Sequence, residues 1–122
     1  MWMKRLLLLS VLTELVTSLV LMIDPTLATR LLFNADLTPV GTVVARFVSV
    51  PLFSLVLACW PGEKTIQRNL PELRGMLSYN LLAAIYLAYV WLGLRMVGLL
   101  LIPAVLVHGA FTIVFFKMWF GK

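Results

Sequence analysis

Glu14 and His108 are the two residues of this sequence with the clearest capacity for chemistry, since each is an isolated ionisable group within a long apolar run. A charged side chain in such a run needs a partner or a wet cavity, because burying it in hydrocarbon costs roughly 3 kcal/mol or more. Glu14 belongs to a polar stripe on helical spacing, which we expect to face protein; its other members are Ser10, Thr13, Thr17 and Ser18. Two interpretations stay open: a proton-titratable or ligand-binding site, and a structural hydrogen bond between helices.

Depth along the predicted helices ranks the possible partners of Glu14. A rise of 1.5 Å per residue puts Glu14 about 12 Å above the start of its apolar run, and His108 falls at a similar height. Arg46 lies about 9 Å from the outer end of its run, and a snorkelling arginine is the alternative there. Tyr79 and Tyr86 share a face of the third run, for which ordinary packing is the alternative. These five residues form the candidate polar site.

Composition excludes several function classes. The chain has 122 residues, of which 62% are hydrophobic and 12% charged, whereas about 25% of the residues of soluble domains are charged. One cysteine and one histidine cannot make a disulfide or a closed zinc site. Ten scattered Lys and Arg residues form no nucleic-acid patch. We therefore expect no catalytic residues, metal or other cofactor, and a chain that is not an enzyme.

Four apolar runs predict an all-α fold, an integral membrane four-helix bundle built as a single transmembrane domain over 1–122. The spans are expected at about 5–23, 39–60, 73–93 and 96–118. A short interfacial helix is expected in the segment 24–38 between the first two spans, and a polar loop at 61–72 precedes the third. Pro51 predicts a kink in the second span, and the tight turn after the third predicts an antiparallel hairpin with the fourth.

Positive charges predict the orientation of the bundle. With a cytoplasmic N-terminus, seven of the ten Lys and Arg residues lie on the cytoplasmic side: Lys4, Arg5, Lys64, Arg68, Arg74, Lys117 and Lys122. Only Arg30, Arg46 and Arg95 lie on the other side. The positive-inside rule therefore places both termini and the loop 61–72 in the cytoplasm.

The first half of the chain resembles the DoxX-like group of small four-helix bacterial membrane proteins. The similarity lies in a first helix, the segment DPTLATRLLFNAD after it, and an Arg-bearing second helix with the sequence VARFVSVPLFSLVLA. The resemblance implies a bacterial inner (plasma) membrane location. It also implies a helper role beside a redox complex, because some members of the group look like accessory subunits of quinone-linked oxidoreductases.

A second resemblance is to the small multidrug resistance transporters. LTELVTSL around Glu14 is similar to the setting of their membrane glutamate, and PVGTVV near the start of the second span is also similar. It implies a proton-coupled exporter that uses Glu14. The loop 61–72 is long for that family, its Trp-Ser-Gly signature is missing from the third span, and the charge bias opposes its dual-topology dimer.

These observations favour a non-catalytic accessory or scaffold subunit of a larger membrane complex. A redox complex is one kind of complex that fits this role. A proton-coupled small-molecule exporter and a lipophile-binding membrane protein are the alternatives. The expected partners are the lipid bilayer and other membrane protein subunits. A homo-oligomer is a further arrangement that fits the sequence, and binding to nucleic acid is not expected.

Overall fold

A computed structural model describes residues 2–62 and 70–121, which form five helices and no strand. In chain order these are α1 (Trp2–Ile23), α2 (Pro25–Phe33), α3 (Pro39–Ala58), α4 (Pro71–Leu92) and α5 (Leu101–Phe120). All but α2 are 20 or 22 residues long and apolar enough to cross a membrane, since about 20 residues span the hydrocarbon core. The predicted all-α fold with four long apolar helices is confirmed, and it indicates a multi-pass membrane protein.

Local sequence explains where several helices begin and end. The Asp24 side chain accepts a hydrogen bond from the Leu27 N–H at 3.1 Å, and the Thr38 hydroxyl accepts one from the Gly41 N–H at 3.0 Å. Such caps satisfy backbone donors that a helix start leaves free. Asn34 ends α2 in the left-handed conformation, with φ 51°. A proline, whose φ is preset and which lacks the N–H, opens α2, α3 and α4: Pro25, Pro39 and Pro71.

The connection between α4 and α5 is longer than the sequence predicts, because α5 begins at Leu101 and not near residue 96. Two backbone N–H groups of the connection bind α2 instead: Gly98 donates to the Leu32 carbonyl at 2.9 Å, and Leu100 donates to the Leu31 carbonyl at 2.7 Å. A Cβ at Gly98 would lie only 2.4 Å from the Leu31 oxygen, so only glycine fits there.

The helices pack chiefly as two pairs, α1 with α3 and α4 with α5. The pairs meet where α1 and α4 begin and α3 and α5 end, which we call the terminal end of the bundle. The opposite end, where α2 contacts α1, α3 and α5, is the α2 end. Buried side chains of all four long helices and of Cys59, directly after α3, fill the terminal end: Leu7, Val11, Val56, Cys59, Leu73, Met76, Phe111, Phe115 and Met118.

The outer surface of the bundle is apolar. Exposed large hydrophobic residues occur along every long helix, for example Val16 at 60%, Phe47 at 69% and Leu82 at 66%. Contiguous apolar surface of this extent is expected where lipid or another protein replaces water. Pro51 lies inside the continuous helix α3, and the kink stays a prediction. Most of the predicted loop 61–72 falls on residues 63–69, which lie outside the described residues, as does Lys122.

Candidate functional site

Polar side chains from three helices meet inside the bundle, near the middle of α1. We call this group the polar cluster: Ser10 and Glu14 of α1, Tyr79 and Asn80 of α4, and His108 of α5. Ser10 and Asn80 are fully buried, and Glu14 is 1% exposed. The cluster lies next to the apolar packing of the terminal end, one to two helical turns along α1 from Leu7.

Asn80 is the centre of the hydrogen bonding. Its side-chain Nδ2 donates to the Met76 carbonyl at 2.8 Å and to the Ser10 hydroxyl at 3.1 Å. A carbonyl can only accept, so the amide nitrogen must face Met76 and the amide oxygen must face His108. That oxygen lies 2.8 Å from His108 Nδ1, which therefore carries the hydrogen and donates it. One amide thus connects α1, α4 and α5.

Glu14 has a different environment from Asn80. Its Oε1 lies 3.7 Å from His108 Nδ1, and neither carboxyl oxygen accepts a hydrogen bond of good geometry from the described residues, although both are buried. The phenol of Tyr79 is close enough to act on the carboxyl electrostatically. The Tyr79 ring also packs edge-on against His108, with ring centroids 5.8 Å apart and planes at 77°. The structure therefore brings Glu14, His108 and Tyr79 together.

Arg46 lies apart from the polar cluster, at the α2 end. Its Nε donates a hydrogen bond of 3.1 Å to the carbonyl of Met22, in the last turn of α1. The side chain is exposed. The guanidinium extends toward the end of the bundle and not inward to Glu14, as a snorkelling arginine does.

Tyr86 also lies outside the cluster, since it is 60% exposed and its ring lies 6.3 Å from that of Tyr89. Tyr86 follows Tyr79 by seven positions, so both lie near one face of α4. The neighbours of that face change along the helix. His108 covers Tyr79, whereas two turns later the same face is open. Of the two tyrosines expected at the polar site, only Tyr79 therefore lies in the cluster.

Sequence reasoning missed Asn80, the residue with the most hydrogen bonds in the cluster. The available signal was a lone carboxamide within an apolar run, SYNLL, since amides inside membrane helices usually bond to a neighbouring helix. Its pairing with Ser10 could not be read from spacing, because the two residues are 70 positions apart.

Other reactive groups offer little chemistry. Cys59 is a free thiol buried in the apolar packing of the terminal end, where a reagent in solution has little access to it. Within residues 2–62 and 70–121, no group of three or more His, Cys, Asp or Glu side chains could hold a metal ion. The exposed ion pair of Arg30 and Asp36, with Nε 2.5 Å from Oδ1, lies at the α2 end.

Comparison with known proteins gives no relative for this chain: no family model, no curated protein and no solved structure matches it. The polar cluster must therefore be interpreted from its own geometry.

Proposed function

We propose that this multi-pass membrane protein acts as a non-catalytic accessory or scaffold subunit of a larger membrane assembly. The observation that supports this role is the hydrogen bonding of Asn80, whose amide connects Ser10 of α1 and His108 of α5 and also bonds to the Met76 carbonyl of its own helix. Such bonds fix helix register and orientation. A bundle that is joined internally in this way and is apolar on its outer surface is suited to packing beside other membrane helices.

The proposal includes an orientation and a location. Both termini and the loop 61–72 lie in the cytoplasm, and the membrane is a bacterial inner membrane. The charge distribution supports the orientation, and the resemblance to DoxX-like proteins supports the location. In a Cys59→Ala background, a cysteine introduced at Gln67 should react only with reagent supplied from the cytoplasmic side.

Purification of the tagged full chain from its native membrane in mild detergent tests the accessory role. A fixed set of membrane proteins should co-elute in constant ratio, and quantitative mass spectrometry would identify it. The Glu14→Gln variant should retain the same set, because the amide preserves the size of the side chain. Elution of the chain alone, under conditions that keep other membrane complexes intact, would contradict the proposal.

A second candidate function is proton-coupled export of small molecules. The observation that favours it is the carboxyl of Glu14, which is buried without a hydrogen bond of good geometry from the described residues. An exporter of this kind needs a carboxyl that loses its proton when a cationic substrate binds.

Tetraphenylphosphonium, a lipophilic cation, separates the two functions. A scaffold should release no protons when the cation is added to purified protein in weakly buffered solution, and overexpression should confer no resistance. Saturable cation binding with proton release, both absent in Glu14→Gln, would favour the exporter over the accessory role.

A further inference from the structure

Arg46 places a positive charge on the membrane-facing surface of α3. It is the eighth residue of that helix, so its Cα lies about 10 Å from the helix start. The hydrogen bond from Nε to the Met22 carbonyl directs the guanidinium toward the last turn of α1. The carbonyls at this helix end carry partial negative charge, which stabilises a cation there. The guanidinium is therefore held at the edge of the apolar span.

No acidic side chain of the described residues pairs with this guanidinium. In the ranges 2–62 and 70–121 the one ion pair between an arginine and a carboxylate is that of Arg30 with Asp36. Asp24 accepts the capping hydrogen bond from Leu27. Among the described residues the charge of Arg46 therefore has no acidic partner, and no hydrogen bond occupies its two Nη nitrogens.

An exposed apolar stripe continues along α3 from Arg46 toward the terminal end. It consists of Val50, Phe53 and Leu57, which follow Arg46 at intervals of four, three and four residues and are 51%, 42% and 64% exposed. This spacing keeps them on one face of the helix. From Arg46 to Leu57 the stripe is about 16 Å long at 1.5 Å per residue. A cation at one end of such a stripe matches an amphiphile with an anionic head.

We propose that Arg46 binds the phosphate of a membrane glycerophospholipid whose acyl chain lies along Val50, Phe53 and Leu57. The planar guanidinium can offer two parallel N–H groups to phosphate oxygens, a geometry that lysine lacks. Lipids with net negative charge are preferred, because they neutralise the arginine. A free phosphate ion would use the guanidinium but not the stripe. The inference does not depend on the accessory role.

Native mass spectrometry of the full chain in detergent tests the site, with palmitoyl-oleoyl phosphatidylglycerol as the probe. Arg46→Gln should weaken lipid binding about tenfold, which corresponds to about 1.4 kcal/mol, and Arg46→Lys should lie between it and the wild type. Arg95→Gln is the matched control, because it removes the same charge from the α4–α5 connection, away from the stripe. It should change binding less than twofold. An equal loss in both glutamine variants, or in neither, would overturn the proposal.

Two further arms identify the ligand. Phe53→Ser should weaken binding of the phospholipid. The thermal unfolding midpoint of this variant should equal that of the wild-type protein, because Phe53 is exposed. Inorganic phosphate in large excess should not displace the lipid. Displacement would show that Arg46 binds anions in general, without a contribution from the stripe, and would overturn the lipid site. A co-purifying protein that is lost in Arg46→Gln, with lipid binding unchanged, would assign Arg46 to a protein contact and overturn the lipid site.

Discussion

The two ends of the bundle are held together by different interactions. At the terminal end, side chains of four helices pack together, and Leu7, Met76 and Phe115 are fully buried. At the α2 end, backbone hydrogen bonds from Gly98 and Leu100 to carbonyls of α2 join the α4–α5 connection to the rest of the chain. The first end therefore depends on side-chain volume, and the second depends on how closely two stretches of backbone can approach.

The polar cluster lies between these ends and adds a third kind of interaction. Its hydrogen bonds are directional, so they favour one rotation of α1, α4 and α5 over others. Apolar packing alone discriminates less between rotations, because similar side chains can exchange places with little change in volume. This division of roles gives three substitutions of decreasing expected effect.

Phe115→Ala should have the largest effect. It removes a fully buried ring from the centre of the terminal end, and truncation of a buried phenylalanine costs about 3 to 5 kcal/mol. Reversible unfolding in mixed detergent micelles measures this loss. Phe116→Ala is the control on the same helix, since Phe116 is 54% exposed and should change stability by less than about 0.5 kcal/mol. Equal losses would mean that the terminal end is not the packed core.

Gly98→Ala should have the next largest effect, about 2 kcal/mol, because the new methyl group would collide with the Leu31 carbonyl and force the connection away from α2. The same unfolding assay applies. Gly109→Ala within α5 is a matched control, because a Cβ there meets nothing within 4 Å, so that variant should be neutral or more stable. If both variants behaved alike, the contact between the connection and α2 would not contribute to stability.

Asn80→Ala should cost about 1 to 2 kcal/mol, since it leaves the Ser10 hydroxyl and His108 Nδ1 without their shared partner. Ser78→Ala, one residue outside the cluster on α4, is the control. The Ser78 hydroxyl is exposed and bonds only to the Arg74 carbonyl of its own helix, so its loss should be close to zero. A larger loss for Ser78 than for Asn80 would contradict the assignment of the cluster to helix joining.

The sequence predicted the helices better than the contacts between them. Long apolar runs and the Thr38-Pro39 start are local signals, and α1, α3, α4 and α5 follow them. Depth along the helices placed Glu14 and His108 at one height, and the structure puts them 3.7 Å apart. The height of a residue along its helix does not say which way its side chain faces. It therefore could not predict that Tyr86 faces outward.

The contacts that could not be predicted join residues far apart in the chain. The approach of Gly98 to Leu31 depends on where α2 lies after the helices have packed. The hydrogen bonds of Asn80 depend on the rotation of three helices at once. Neither arrangement has a signature in local spacing, although a glycine in a connection and an amide in an apolar run mark positions worth testing.

A double-mutant cycle between Asn80 and His108 tests the central claim, that the polar cluster joins helices of this chain. The unfolding free energies of Asn80→Ala, His108→Ala and the double variant are compared with that of the wild type. Hydrogen bonds between membrane helices contribute about 0.6 kcal/mol on average and up to about 1.7. For this partly buried 2.8 Å bond the account predicts a coupling of about 1 kcal/mol. Strictly additive losses would show that the two side chains do not stabilise each other, and would contradict the claim.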